Sequence, residues 1–298
     1  MTLPNCYRCQ SQPCQCQDGM KISTLAPWFG SARMNAAKIG EAIGKQALVG
    51  IPFCGGCCEI PHIRARTIVA NDLHRHLITL AMTVAEPAAY SEFVLRLENV
   101  LVHPDWLSRA RQVLEVFRGR TDSAHPNPEW AAAYFTCVWL SRSHAGTKSE
   151  FTQPLATRFT ASGGSSVKRW RSAVESLPAW HAALKERCEF TCLDWRKWMG
   201  KVKDRPGHAL YVDPPWWGTG EKYMHEFTEQ DHRDLAAAMT ALEEAHVVIR
   251  HQDCELYRDL YPESLWSWEE IGSRNQGNRL ISEVLITRRA GEQGELFG

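Results

Sequence analysis

The chain has no apolar run that approaches the roughly 20 residues needed to cross a bilayer, so no membrane span and no membrane partner are expected. No secretory signal is read at its start, where Pro4-Asn5-Cys6 opens a polar, cysteine-rich stretch. No internal repeat is present, which excludes solenoids and propellers. Charge of one sign is also missing: 34 Lys plus Arg stand against 34 Asp plus Glu. That balance excludes a uniformly basic, purely electrostatic nucleic-acid binder.

What is present is an ordinary globular composition, 44% hydrophobic and 23% charged over 298 residues. At roughly 150 residues per domain, this means one large or two modest domains. Twelve Trp point to aromatic packing or stacking surfaces. Eleven Cys are present, and Cys6, Cys9, Cys14 and Cys16 crowd the N-terminus. The other seven are scattered and read as free, mostly buried thiols of a reducing compartment. The N-terminal four can bind zinc as thiolates, and one pair has metal-knuckle spacing, but the second pair is tight; a reduced tail without metal is the alternative.

Along the chain, helices and short apolar strands alternate. Met34 to Ile43 reads as a helix stopped by Gly44, and Ala47 to Phe53 as a buried strand ending in Cys54-Gly55-Gly56. Thr67 to Ala70 is a second strand, closed by Asn71-Asp72, and Leu73 to Val84 has helical spacing. Helices are expected at Leu95 to Val100, Trp106 to Phe117 and Trp130 to Leu140, with polar loops at Ser141 to Thr147 and Thr160 to Ser166. Strands are expected at Glu189 to Leu193, Ala209 to Val212, His246 to Arg250 and Leu280 to Thr287. Helices are expected at Asp231 to Glu244 and Asp253 to Tyr261. The fold class is α/β: a Rossmann-like sheet with helices on both faces and an inserted, mainly helical module. The expected organisation is a cysteine-rich appendage at 1–20, a catalytic domain at 21–86 and 186–289, the helical module at 87–185 and a tail at 290–298.

The sharpest segment is Asp213-Pro214-Pro215-Trp216, where two prolines end a strand at Asp213. Open α/β sheets place ligands at such carboxyl ends. An exocyclic amine on a flat base has its lone pair delocalised into the ring. A carboxylate and a rigid backbone carbonyl accepting its two N–H bonds draw the nitrogen toward tetrahedral geometry, while an aromatic side chain stacks on the base. Asp213, the Pro214 carbonyl and Trp216 suit those parts. The bland alternative is a proline turn with a buried Trp. The full G-x-G-x-x-G pattern is lacking, and that weakens a dinucleotide-dependent oxidoreductase.

Several motifs in one order resemble the Dam-like adenine-N6 DNA methyltransferases over roughly residues 27–287. Trp28-Phe29-Gly30-Ser31 resembles that family's N-terminal aromatic-glycine element, and Pro52-Phe53-Cys54-Gly55-Gly56 its cofactor loop. Asn71-Asp72 is similar to the pair whose acid bonds the ribose; Asp194-Trp195 stands where Asp-Phe contacts the cofactor adenine. Tyr223, Phe227, Asp231-His232 and Leu235 follow the catalytic motif at the family's spacing. The resemblance implies S-adenosylmethionine as cofactor, bound by Trp28, Phe29, Gly30, Pro52, Phe53, Gly55, Asp72, Asp194, Trp195 and Asp213. It implies methyl transfer to adenine N6 of a base flipped out of duplex DNA, with Asp213, Pro214, Pro215 and Trp216 catalytic. It further implies a target-recognition role for 87–185, a cytoplasmic setting in a bacterium, phage or mobile element, a place among restriction-modification enzymes, and a monomer or weak dimer.

The departures are Trp216 for Tyr, Ile51 for the Glu usual before Pro-Phe, the bulky Cys57-Cys58-Glu59 after the glycines, and a missing Lys near Ser31, for which Arg33 or Lys38 is the substitute. They leave open cytosine-N4 or RNA adenine methylation, or an inactive nucleic-acid-binding relative.

Charge is unevenly spread. Between 142 and 171, Arg142, Lys148, Arg158, Lys168, Arg169 and Arg171 face Glu150 alone, while acids gather around 221–270. Arg142, Lys148, Arg158, Lys168, Arg169 and the loop residue Tyr223 are therefore expected to meet nucleic acid; a solvated helix face is the alternative.

Overall fold

A computed structural model describes residues 22, 24–118, 124–142, 145–157, 165–218, 223–274 and 280–288. Seven strands build one sheet: β1 (Lys45–Ile51), β2 (Arg64–Asn71), β3 (Cys188–Thr191), β4 (His208–Val212), β5 (His246–Gln252), β6 (Trp266–Glu270) and β7 (Glu283–Arg288). Their order is β3-β2-β1-β4-β5-β7-β6. All run parallel except β7, which lies antiparallel between β5 and β6. The order reverses between β1 and β4, and this switch point is where a ligand crevice opens in doubly wound sheets.

The central strands are apolar on both faces, because helices cover both. In β4, Ala209 and Tyr211 join one core, and Leu210 and Val212 the other. Val248 and Val247 divide the same way in β5, as do Leu285 and Val284 in β7. One face receives α1 (Ala36–Ile43) and α2 (Arg75–Ala85), and the other α8 (Trp195–Met199) and α9 (Glu229–Thr240). A short helix, α10 (Glu255–Leu260), follows β5.

Between β2 and β3 lie α3 (Pro87–Glu98), α4 (Pro104–Phe117), α5 (Pro128–Leu140), α6 (Ser166–Glu175) and α7 (Leu177–Leu184). Three of these begin at a proline, behind side-chain caps from Glu86, His103 and Asn127. Proline suits the first helical position because its missing N–H has no intrahelical partner there. That is why α3, α4 and α5 start earlier than their apolar spacing predicts. Helix α5 is buried nearly all round, from Trp130 to Leu140, and packs against α2, α3, α4 and α6. The inserted helices therefore share a continuous core with β1 and β2.

Three expectations change. The stretch Leu280 to Thr287 is not one strand: it breaks at Ser282, whose carbonyl accepts the Asp253 N–H instead of a ladder bond. The helix expected at Leu95 to Val100 is the end of α3, which starts at Pro87 and stops at Glu98. Helices α6 and α7 and strand β6 are additions to the expected elements, although α6 has an apolar stripe with Trp170 and Ala173 buried; β6 reads Trp-Ser-Trp-Glu-Glu and holds its place through Trp266, buried under Tyr261.

Candidate active site

The carboxyl ends of β1, β2, β3 and β4 converge on one cleft of about 990 Å³, open to solvent. At the end of β1, Gly55 turns at φ +42°, and a Cβ there would stand 3.0 Å from the Trp28 ring. A second glycine, Gly146 at φ +80°, approaches the same indole, where a Cβ would lie 2.6 Å from it. Two backbone segments thus approach Trp28 as closely as only glycine allows. Cys57, at φ 58°, takes the left-handed conformation without being glycine.

Asn71 ties three strand ends together. Its amide donates to the Pro52 and Leu193 carbonyls at 3.0 and 2.9 Å, and its oxygen accepts from the Thr191 hydroxyl and the Leu193 N–H. Asp72 beside it accepts from the Gly55 and His74 N–H groups at 3.0 and 2.9 Å. Asp72 thus links the glycine turn to the second strand end. Asp194 caps α8 through the Arg196 N–H and also lines the cleft. Trp195 is buried behind it, with Arg196 over its ring at 4.4 Å.

At β4, the parallel register pairs Val212 with Ile249, so Asp213 comes level with Arg250 on β5. Arg250 Nη1 donates to Asp213 Oδ2 at 2.7 Å and to the Gly30 carbonyl at 2.9 Å; Nη2 donates to Glu283 on β7 at 3.0 Å. Asn35 also bonds Glu283, at 2.9 Å. Asp213 further accepts from the Tyr211 hydroxyl and the Trp216 indole N–H, both at 3.2 Å. Burial pushes the Asp213 carboxyl above its ordinary value, and the adjacent Arg250 guanidinium pulls the other way.

The cleft lining brings together all ten predicted cofactor residues, with Pro214, Pro215 and Tyr223. Trp216 is not part of that lining. It is 8% exposed, with the Arg250 guanidinium over its ring at 4.8 Å and its N–H turned to Asp213. Tyr223 packs on Phe29 at 5.2 Å, so it belongs to the cleft wall. His232 is buried against Tyr257 and Phe227, in the packing role. Arg33 and Lys38 are exposed and stand outside the cleft lining, so neither takes the place of the missing Lys. Ile51 is fully buried and brings no polar group to it.

Of the basic run, Arg142, Lys148 and Lys168 are exposed. Arg169 lies over the Trp139 ring at 5.4 Å and donates to the Val138 and Ser141 carbonyls at the end of α5. Arg158 and the four N-terminal cysteines lie outside the described residues, as does the tail at 290–298. Among the described residues no group of three or more His, Cys, Asp or Glu side chains is placed to hold a metal ion. No helix among them is long and apolar enough to cross a membrane.

Sequence reasoning missed Arg250, His74 and the loop at Ala145 to Thr147. His74 donates to Glu150 at 2.9 Å, both fully buried, and lines the cleft. Ala145 bonds Pro27 and Phe29, and the Gly146 carbonyl accepts from Met224. No motif marks any of them, because their partners lie tens to hundreds of residues away.

Two solved structures resemble the chain at low likeness. One is the rRNA methyltransferase aviRa from Streptomyces viridochromogenes, with TM-score 0.38, 14% identity and 96% of each chain covered. The other is a SAM-dependent methyltransferase from Agrobacterium tumefaciens, with TM-score 0.36, 8% identity, and 89% of this chain but 64% of that one covered. No curated protein matches the chain at a significant level. The family profile described as D12 class N6 adenine-specific DNA methyltransferase matches residues 28–275, which hold every cleft motif from Trp28 to the Asp-Pro-Pro-Trp turn. The chain belongs to that family, whose members are S-adenosylmethionine-dependent adenine-N6 DNA methyltransferases.

Proposed function

We propose that the cleft methylates adenine N6 on a base flipped out of duplex DNA, with Asp213 and the Pro214 carbonyl orienting the amine. The observation that supports this most is that Asp213, Pro214 and Pro215 line the cleft at the sheet's switch point together with Gly55 and Asp72. The residues fit S-adenosylmethionine. The Gly55 turn is a cradle that a Cβ would fill against Trp28, the Asp72 carboxylate stands at the end of β2, and the buried Glu59 has an oxygen without a partner. Phe53, Asp194 and Trp195 form the adenine side and Asp72 meets the ribose. When bound, the cofactor supplies a methyl group activated on a sulfonium.

Asp213 must be ionised to accept one N–H of the target amine, and Arg250 favours that form. The Pro214 carbonyl, fixed by two rings, accepts the other. The help is then mostly positioning and prearranged electrostatics. The flipped base stacks on Trp216 after its indole N–H releases Asp213; a paired and stacked amine cannot otherwise be reached. Helices α3 to α7, with Arg142, Lys148, Arg158 and Lys168, carry target recognition and phosphate contacts. For Cys6, Cys9, Cys14 and Cys16, metal content of wild type against Cys9→Ser with Cys14→Ser separates a zinc site from a reduced tail without metal.

The central experiment is Asp213→Ala. Methylation of DNA is expected to vanish while the variant still binds S-adenosylmethionine; near-normal turnover would end the mechanism. Digesting the wild-type product and identifying the modified nucleoside separates N6-methyladenine from N4-methylcytosine, and an RNA substrate run in parallel tests the remaining alternative.

A further inference from the structure

The cleft holds a carboxylate that the methyl-transfer geometry does not use. Glu59 follows the glycine turn, lines the cleft and is only 3% exposed. Its Oε2 accepts from the Cys58 thiol at 3.3 Å, a weak donor. Its Oε1 has no hydrogen-bond partner. A buried carboxylate oxygen without a donor is costly, so the fold leaves an acceptor waiting at the cleft wall.

The surrounding charge sharpens this. Three carboxylates gather here: Asp213, Glu283 and Glu59. Arg250 is the guanidinium that faces them, and its hydrogen bonds go to Asp213, Glu283 and the Gly30 carbonyl, none to Glu59. The groups facing Glu59 are its own backbone N–H, the Cys58 thiol, Asp213 and Arg250. Against three carboxylates this end of the cleft holds one guanidinium, and Oε1 lacks a hydrogen-bond donor.

We infer that Glu59 Oε1 accepts a hydrogen bond from the α-ammonium group of the bound cofactor's amino-acid moiety. A primary ammonium brings both missing elements, charge and donors. The sulfonium brings charge but no N–H, so it cannot satisfy Oε1. Burial pushes the Glu59 carboxyl up to about 7, so the group is half protonated near neutrality and a cation beside it drives the proton off.

The inference rests on the cleft being the cofactor site. Calorimetric titration of the full chain with S-adenosylhomocysteine and with 5′-methylthioadenosine tests it. Both ligands lack the sulfonium, and only the first carries the α-ammonium. Glu59→Gln keeps size and shape. It is expected to weaken S-adenosylhomocysteine binding roughly ten- to a hundredfold and to leave 5′-methylthioadenosine within about twofold. Equal weakening of both ligands, or no weakening of the first, overturns the assignment.

A second measurement needs no variant. Wild type titrated near pH 7 in two buffers of different ionisation enthalpy is expected to release up to about half a proton with S-adenosylhomocysteine and none with 5′-methylthioadenosine. Equal release with both ligands also overturns it. A wild type that binds neither ligand would instead sink the cofactor site itself, and this inference with it.

Discussion

Arg250 Nη1 lies 2.7 Å from Asp213 Oδ2, across two neighbouring parallel strands, with the guanidinium buried and the carboxylate partly so. The guanidinium also holds Glu283 and stands over the Trp216 ring, so one side chain ties Asp213 to β7 and to the last residue of the Asp-Pro-Pro-Trp turn.

Removing that cation leaves two buried carboxylates unpaired. Arg250→Met is expected to lower stability by about 3–5 kcal/mol, measured by denaturant unfolding. Asp213 works as the anion, so activity falls as pH drops through its pKa. Burial already raises that pKa and Arg250 opposes the rise. Loss of Arg250 therefore moves the acid limb of kcat/KM to higher pH. An unshifted limb in any Arg250 variant that folds would show that the cation does not tune Asp213.

Trp216 faces two demands, a bond to Asp213 and a stacking surface for the base. Trp216→Tyr is expected to keep activity, because a phenol ring also stacks. Trp216→Ala is expected to cost about 1–3 kcal/mol in kcat/KM, the usual worth of one base stacked on an aromatic side chain. An alanine variant with unchanged kcat/KM would move the stacking role to another residue, with the exposed Trp217 the first to examine.

The His74–Glu150 pair joins the cleft to the loop at Ala145 to Thr147. Burial alone would lower the His74 pKa, but Glu150 outweighs it and the value lies above 6.5. Burial would raise Glu150, but His74 and the Gly146 N–H hold it below 4.5. The histidine's contribution is whole below pH 6.5 and fades as pH rises through its raised value; the carboxylate's is present above pH 4.5 and fades as pH falls through its lowered value. A double-mutant cycle with His74→Gln and Glu150→Gln is expected to show the strongest coupling between these limits and clearly less once the pH has passed the raised histidine value. A coupling that stays flat over that range contradicts the ion pair.

For DNA binding, Lys148→Ala and Lys168→Ala are expected to weaken affinity about equally for all sequences and to reduce the salt slope by about 1 each. Arg169→Ala is expected to lower stability instead, because its guanidinium is engaged at the end of α5. A slope unchanged by both lysine variants would place the phosphate contacts elsewhere.

Local chemistry marked much of this protein in advance. Pro214-Pro215 ends a strand whatever surrounds it, Gly55-Gly56 makes a turn, and apolar strands alternating with amphipathic helices require a covered sheet. Those signals sufficed for the fold class; Trp28, Gly55, Asp72, Asp194 and Asp213 were singled out by the resemblance of their motifs in order, and all five line the cleft. Helices such as α3 were misplaced because their start signal is a capped proline rather than an apolar stripe.

Other features depend on pairing between distant residues, and a chain read end to end does not show them. Arg250 meets Asp213 only through the β4–β5 register, and Glu283 only through the antiparallel β7. Trp28 is approached by both Gly55 and Gly146, which stand 91 residues apart in number. Glu59 looked like a bulky departure after a glycine turn; burial made it an acceptor facing the cleft. Burial and proximity set the cost of an unpaired charge, and both arise only when the strands come together. The sequence by itself determined the sheet, the turn types and the methyl-transfer motif; the tertiary structure decided which charges that motif leans on.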